Sequence, residues 1–379
     1  VTTSQLDAGP ALDPADPLAA GFRDAVADVL DGFLDGQRDV LAAIDPSLAP
    51  LHEQARALVA GGKRVRPAGC VWGYVAAAGL PGADDRGPLL GAAASLDLLH
   101  VSALVHDDVM DGSDLRRGRP SAHRQFEQLH DDHGLIGDPE VFGRAAAILY
   151  GDLLLIWSSE LLHRSGLPPA ALARALPLVE AMRTEVTAGQ YLDILAQSRP
   201  VTEQDLATAI EAAERVVEYK SARYTIRRPC QIGASLGGGS ESLITMLAEY
   251  GSALGRAFQL RDDLLGVYGD EQLTGKPAGD DLREGKRTVL VAHALAAAEP
   301  VARKAIRDLF GRPDLDREQV DRLRTLITGT GARDQVESMI ESSHADARAA
   351  LAALPGSEIT DEGRLALDTL ATLATHRTH

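Results

Sequence analysis

Two long apolar, helix-forming runs in this chain end in paired aspartates, a combination that few folds tolerate. Leu98 through His106 lead into Asp107-Asp108-Val109-Met110-Asp111, and Leu254 through Leu260 lead into Arg261-Asp262-Asp263. Positions one and four beyond a starting residue lie near one helix face, so Asp107, Asp108 and Asp111 direct oxygens at one small volume. Carboxylates at the end of a buried helix are costly without a compensating charge. Hard oxygen donors of this kind suit Mg²⁺, which is usually held by one or two carboxylates plus substrate phosphates and water. A single Asp-Asp pair is more often a solvated helix face or an N-cap; here the apolar flanks argue against that reading.

Cations accompany both acidic motifs. Arg116-Arg117-Gly118-Arg119-Pro120 follows the first, Lys276 and Lys286 follow the second, and Gly61-Gly62-Lys63-Arg64-Val65-Arg66-Pro67 forms a third basic element. Carboxylates for a metal on one side and Arg and Lys on the other is the layout of a polyanion site. The basic turn is not a Walker loop, because the GxxxxGK[ST] spacing is absent, and no GxGxxG follows a strand-like run. Two acidic centres with three basic ones suffice for two separate diphosphates.

The rest of the chain reads as helix. Apolar residues recur at helical spacing, as in Phe22, Val26, Val29, Leu30 and Phe33, and breaks fall at Asp45-Pro46, Pro81-Gly82, Pro120, Pro168-Pro169, Gly237-Gly238-Gly239 and Pro355-Gly356. No alternating Val, Ile and Thr run suggests a sheet. The expected fold is all-α: a single large helical bundle with a central cavity, the acidic motifs on facing helices near its mouth. Residues 1–17, with Pro10, Pro14 and Pro17, read as a disordered leader and residues 18–375 as a single domain. His130-Asp131-Asp132-His133 reads as a surface loop rather than a metal site. The formal net charge of −17 disfavours nucleic acid or an anionic membrane as partner. Cys70 and Cys230, the two cysteines, are too few for a disulfide framework. Without a leader-like N-terminus or eighteen consecutive apolar residues, a cytoplasmic protein with no integral membrane association is expected.

The ordered series from Gly61-Gly62-Lys63-Arg64-Val65-Arg66-Pro67 through His100, Asp107-Asp108-Val109-Met110-Asp111, Arg116-Arg117-Gly118, Gly151-Asp152, Gly189-Gln190, Lys220-Ser221, Phe258-Gln259-Leu260-Arg261-Asp262-Asp263, Gly275-Lys276 and Asp281 to Thr288 resembles the all-trans polyprenyl diphosphate synthases. That family condenses allylic diphosphates with isopentenyl diphosphate. The resemblance implies that Lys63, Arg66, His100 and Arg117 hold the diphosphate of isopentenyl diphosphate, and that Arg116, Lys220, Ser221, Gln259, Lys276 and Lys286 hold the allylic one. It implies that Asp107 and Asp111 bind two Mg²⁺ and Asp262 a third, with Asp108 and Asp263 among the catalytic carboxylates, in a homodimer.

Three positions depart from the family pattern. The second acidic motif often reads Asp-Asp-x-x-Asp, but its last position here is Gly266, with Asp270 and Asp281 nearby in sequence. Asp97 stands where Glu is usual, and Lys220-Ser221 where Lys-Thr is usual. Ser102 and Ala103, five and four residues before Asp107, are small where aromatic rings would floor the pocket, so the expected product is longer than farnesyl diphosphate, namely geranylgeranyl diphosphate. A class I terpene cyclase would leave Lys63, Arg66 and His100 idle; a non-catalytic regulatory subunit of a heteromeric synthase normally loses acidic-motif residues, and Gly266 alone points that way.

Overall fold

A computed structural model describes residues 12–199, 205–269 and 279–375. The chain divides into two compact units, one of residues 1–175, 232–240 and 356–369 and one of residues 176–231, 241–355 and 370–379. The fold class is all-α, as expected; among the described residues the only strands are the two-residue pair Leu115–Arg116 and Arg119–Pro120.

The first unit contains α1 (Ala20–Ile44), α2 (Ala49–Val59), α3 (Val65–Ala78), α4 (Ala83–Asp111), α5 (Ala122–Asp132) and α6 (Pro139–His163). From Leu89 to Leu99 every residue of α4 is buried, the pattern of a helix apolar all round that must run through a core. It packs against α1, α3 and, most extensively, α6. A Cβ at Gly151 of α6 would lie 2.8 Å from His106 Cε1, so glycine there sets how closely α6 approaches the end of α4. On α6, Asp138 caps the first turn through Glu140 N, with Pro139 pre-set for the helix.

Two expectations need correction in this unit. Residues 12–17 are not part of a disordered leader: Leu12 is buried, and the Trp72 indole donates to the Pro17 carbonyl at 3.0 Å. Proline-rich composition reads as disorder, but one apolar side chain and one carbonyl met by a buried tryptophan suffice to pin it. His130 lies in the last turn of α5, not in a surface loop, buried with its ring 5.3 Å from that of Phe142.

Helices α7 (Pro169–Ser198) and α9 (Arg228–Leu236) belong partly to each unit. The second unit also holds α8 (Leu206–Val216), a π-helical segment Val217–Arg227, α10 (Glu241–Tyr268), α11 (Asp280–Glu284), α12 (Val289–Ala297), α13 (Pro300–Leu309), α14 (Arg317–Gly329) and α15 (Ala332–Ala353). α16 (Asp361–Thr375) ends the described chain. Its core gathers Leu260, Leu264 and Val267 of α10 with Leu282, Leu290, Leu323 and Ile340. Arg261 reaches from α10 to Glu337 of α15 in a two-pronged ion pair, 2.9 and 2.7 Å, so the polar side of α10 is tied down as well as its apolar one.

Candidate active site

The basic loop before α3 is shaped by backbone conformation. Gly61 and Gly62 have φ of 92° and 100°, and Arg64, with φ of 52°, is one of two described non-glycine residues in the left-handed region. That turn sends the Arg64 side chain inward. Its guanidinium pairs with Asp97 of α4 and donates to the Val59 carbonyl at 2.6 Å, with Arg64 and Asp97 both buried. Lys63 is left exposed and Arg66 half-buried on the first turn of α3. Arg64 was not among the residues the sequence singled out, because three cations in four positions do not say which one turns in.

The other left-handed residue is Arg117, φ 54°, which with Gly118, φ 72°, forms the turn between the two short strands. Positive φ at both central residues matches a type I′ hairpin. Arg117 donates to the Leu58 carbonyl at 3.0 Å, and its guanidinium would lie 3.3 Å from a Cβ at Gly62, which holds the two loops together. His100 of α4 feels the charge of arginines from both loops. Burial, then the charges of Arg66, Arg117, Arg116 and Arg64, push its imidazolium well below the ordinary histidine range, so it is neutral at physiological pH. A neutral imidazole among guanidiniums makes a receptor for an anion, and it brings together Arg66, His100 and Arg117.

Asp107, Asp108 and Asp111 occupy the last turns of α4, which Gly112 ends with φ of 67°. The C-terminal end of a helix carries negative partial charge, and no basic residue lies in this last turn. Arg116 compensates Asp108: its Nε donates to Asp108 Oδ1 at 2.9 Å, while Nη2 reaches the same oxygen and lies 4.0 Å from Asp107 Oδ2. Asp108, buried, therefore anchors the hairpin, whereas Asp107 and Asp111 are half-buried. Two carboxylates four residues apart at the negative end of a helix fit Mg²⁺, which takes its remaining ligands from phosphate and water. Among the described residues no group of three acidic, histidine or cysteine side chains forms a ready-made metal cage.

Ser102 and Ala103 differ in environment. Ser102 is 3% exposed and its hydroxyl donates to the Gly151 carbonyl at 2.7 Å, so it serves the contact between α4 and α6. Ala103 is half-buried.

In the second unit, the π-helical segment carries Lys220 and Ser221. π-helical turns are rare and often functional. A Cβ at Gly189 of α7 would lie 2.7 Å from Tyr219 C and 2.8 Å from Lys220 Cα, so the glycine lets the two backbones touch. Lys220 Nζ then reaches Asp193, one turn further along α7, at 2.6 Å. Asp193, buried, was not anticipated; its i+4 spacing from Gly189 was the available signal. Glu185, another turn back, takes both prongs of Arg228 at 2.8 and 2.6 Å and Arg223 at 2.8 Å, tying the middle and C-terminal end of the segment to α7.

On α10, Gln259 donates to Asp263 at 2.8 Å. Asp263 is buried, and desolvation, reinforced by Asp281 and Asp262, pushes its carboxyl up to about 8. Asp281 of α11 packs against Gly266: a Cβ there would lie 2.6 Å from Asp281 Cγ and closer still to Oδ2. Lys286 lies 2.8 Å from Glu284 Oε2 and 3.7 Å from Asp281 Oδ1. Asp262, Asp263, Gln259 and Lys286 are thus neighbours, Ser221 is half-buried, and Lys276 lies outside the described residues.

Residues 49–327 match the model of the polyprenyl synthetase family. A geranylgeranyl diphosphate synthase of Methanosarcina mazei is 32% identical over 82% of this chain and 87% of its own length. A short chain isoprenyl diphosphate synthase of Methanothermobacter thermautotrophicus is 33% identical over 73% of this chain and 76% of its own. The crystal structure of geranylgeranyl pyrophosphate synthase from Corynebacterium glutamicum, complexed with isoprenyl diphosphate and magnesium, is 41% identical with a TM-score of 0.85 over 94% of this chain and 98% of that one. With the family model spanning most of its length, this chain belongs to the polyprenyl synthetase family.

Proposed function

We propose that this prenyltransferase condenses an allylic diphosphate (dimethylallyl, geranyl or farnesyl) head-to-tail with isopentenyl diphosphate, in the presence of Mg²⁺, to give geranylgeranyl diphosphate. The observation that carries the reading is the pairing on α4 of an anion receptor at His100 with carboxylates at Asp107 and Asp111, about 10 Å further along the same helix. That spacing suits two diphosphates lying side by side. Relatives named as geranylgeranyl diphosphate synthases support the product.

In this reading Lys63, Arg66, His100 and Arg117 hold isopentenyl diphosphate. Arg116, Lys220, Ser221, Gln259, Lys276 and Lys286 hold the allylic diphosphate, and Asp107, Asp111 and Asp262 are the direct ligands for three Mg²⁺. Bound Mg²⁺ would neutralise negative charge that grows on the diphosphate as the allylic carbon–oxygen bond breaks. The cationic side chains are set in place before that charge develops, so they stabilise the transition state more than the ground state. The double bond of isopentenyl diphosphate attacks the allylic cation, a proton is lost to the departing diphosphate, and no protein nucleophile takes part. The remaining task of the fold is to position both substrates and exclude water.

Ala103, which keeps some exposure, is the better candidate for limiting chain length; Ser102 is taken up by its contact with α6. We read the catalytic domain as one, residues 18–375, with residues 12–17 packed against it. The protein is taken as soluble: α4 and α6 are long and apolar enough to cross a membrane, but 78% of the apolar window of α4 is buried within the protein, and the 44% buried α6 carries the exposed face assigned below to a second copy. A cytoplasmic homodimer is part of the proposal. The face of α6 bearing Val141, Ile148, Leu149 and Ile156, 47–70% exposed, is the surface proposed for the second copy.

The test is incubation of the purified chain with Mg²⁺, isopentenyl diphosphate and each allylic starter, followed by mass spectrometry of the dephosphorylated products. Geranylgeraniol is the expected main product. Turnover of prenyl diphosphate without isopentenyl diphosphate would favour a cyclase, and folded protein that condenses no starter would overturn the proposal.

A further inference from the structure

Glu185, Gly189 and Asp193 are spaced four apart and share one face of α7. Each meets the π-helical segment. Asp193 accepts from Lys220 Nζ at 2.6 Å, and Gly189 admits the Tyr219–Lys220 backbone. Glu185 accepts from Arg223 Nη1 at 2.8 Å and, just past the segment, from Arg228 Nε and Nη2 at 2.8 and 2.6 Å. Arg223 has a second anchor within the segment itself. Its Nε donates to Glu218 Oε1 at 2.6 Å, and its guanidinium lies over the Tyr219 ring, 4.3 Å from the centroid. One arginine thus grips the two residues before Lys220 and, through Glu185, the helix opposite. In α-helical winding, residues five apart point about 140° away from each other around the axis. A π-helical turn closes from i to i+5 instead, which brings Glu218 and Arg223 into line. Rewinding the segment as α-helix would pull Arg223 from Glu218 or from Glu185 and turn Lys220 away from Asp193. Burial works against a charge on Glu185, yet the hydrogen bonds from Arg228 and Arg223 outweigh it and hold its carboxyl below the ordinary value, so the grip is charge-assisted.

We propose that Glu185, acting through Arg223, fixes the π-helical register that presents Lys220, and is thereby a positioning residue for the diphosphate that Lys220 holds. Glu185 touches no reacting atom. Its bonds to Arg223 and Arg228 keep the segment from sliding or rewinding, so that the Lys220 ammonium stands in one place before substrate arrives. The role of Lys220 as a ligand of the allylic diphosphate comes from the elongation reading above, and the proposal rests on it for the identity of the anion.

The experiment uses the full chain with Glu185→Gln, Lys220→Ala, the double Glu185→Gln/Lys220→Ala, and Arg223→Gln, which breaks the same grip from the other side. Calorimetric titration with inorganic diphosphate in the presence of Mg²⁺ gives Kd, and kcat/KM is measured for the allylic substrate. Glu185→Gln preserves volume and removes the charge. Its Kd should rise and its kcat/KM fall by about 10-fold, short of the roughly 100-fold that a full ångström of misplacement costs. Arg223→Gln should behave alike. Once Lys220 is gone, Glu185→Gln should weaken binding by no more than about twofold further, because residues that act through one another do not add. A merely structural role would instead weaken binding by the same factor in both backgrounds. Equal factors, wild-type Kd in both Glu185→Gln and Arg223→Gln, or wild-type Kd in Lys220→Ala would each overturn the proposal. Calorimetry needs no turnover. A loss confined to chains that retain Lys220, beside a wild type that elongates no starter, would sink the elongation reading and keep the positioning role, whereas equal factors in an enzyme that elongates would sink the positioning role alone.

Discussion

Replacing Gly189 by alanine isolates what the close approach of α7 to the π-helical segment contributes. The new Cβ would meet Tyr219 C at 2.7 Å and Lys220 Cα at 2.8 Å, with Lys220 N nearer still, where ordinary contact begins at 3.4 Å. All three are backbone atoms, so no side chain can swing away, and the two elements must part by up to about 1 Å. Overpacking of this kind costs about 1–3 kcal/mol, a fall in Tm of roughly 2–10 °C. The larger consequence is at Lys220, which Asp193 holds at 2.6 Å. If Lys220 holds the allylic diphosphate as proposed, shifting its ammonium by about 1 Å is expected to cost on the order of 100-fold in kcat/KM for the allylic substrate. Gly363→Ala is the control. Its Cβ would lie 2.6 Å from Ala76 N, a comparable clash, at the C-terminal end of α3 and about 15 Å along that helix from Arg66. Thermal melts and steady-state kinetics at a temperature where both variants are folded separate the effects. Gly363→Ala should lose stability and keep kcat/KM; if Gly189→Ala loses no more kcat/KM than Gly363→Ala, the argument that backbone contact positions Lys220 is wrong.

Ala103→Phe should shift the product mixture from geranylgeraniol towards farnesol by mass spectrometry, whereas Ser102→Phe should destabilise the chain by about 1–3 kcal/mol by forcing α4 from α6; an unchanged product ratio with Ala103→Phe removes the chain-length role. Asp97→Ala leaves the buried Arg64 guanidinium without its ion-pair partner and should cost about 3–5 kcal/mol in urea unfolding. His100 holds its proton less well in the fold than at its ordinary value of 6.5, so the unfolded chain protonates first: this contribution to stability is whole above about 6.5 and declines as pH falls below it. Tm measured from pH 7.5 to 5.5 should therefore drop less for His100→Gln than for wild type, and parallel curves would contradict the assignment. If the exposed face of α6 forms the proposed dimer, light scattering should find wild type dimeric and Leu149→Glu with Ile156→Glu monomeric, with helicity by circular dichroism retained; a monomeric wild type removes the proposal.

How far the sequence could be read depended on whether both partners of an interaction lay in one helix. The helices of α4 and α10, their apolar flanks and the acidic ends at Asp107 and Asp262 follow from spacing alone, as does the i,i+4 pair of Gln259 with Asp263. Where the partner comes from another element, residue type was visible and role was not. Lys63, Arg64 and Arg66 look alike in sequence; the left-handed φ at Arg64 is what turns that one inward onto Asp97. The π-helical winding that sets Lys220 opposite Asp193 leaves no mark in apolar periodicity, and the close approach beside it is permitted by an absence, the missing side chain of Gly189. At Gly266 the sequence shows a third aspartate absent and Asp281 fifteen residues on, but not that α11 folds the Asp281 carboxylate back against the Gly266 Cα. The same physical reason runs through all three. A buried charge is tolerated only beside its counterpart or in room made for it, so a glycine packed against a carboxylate is as much a part of the site's electrostatics as the carboxylate itself.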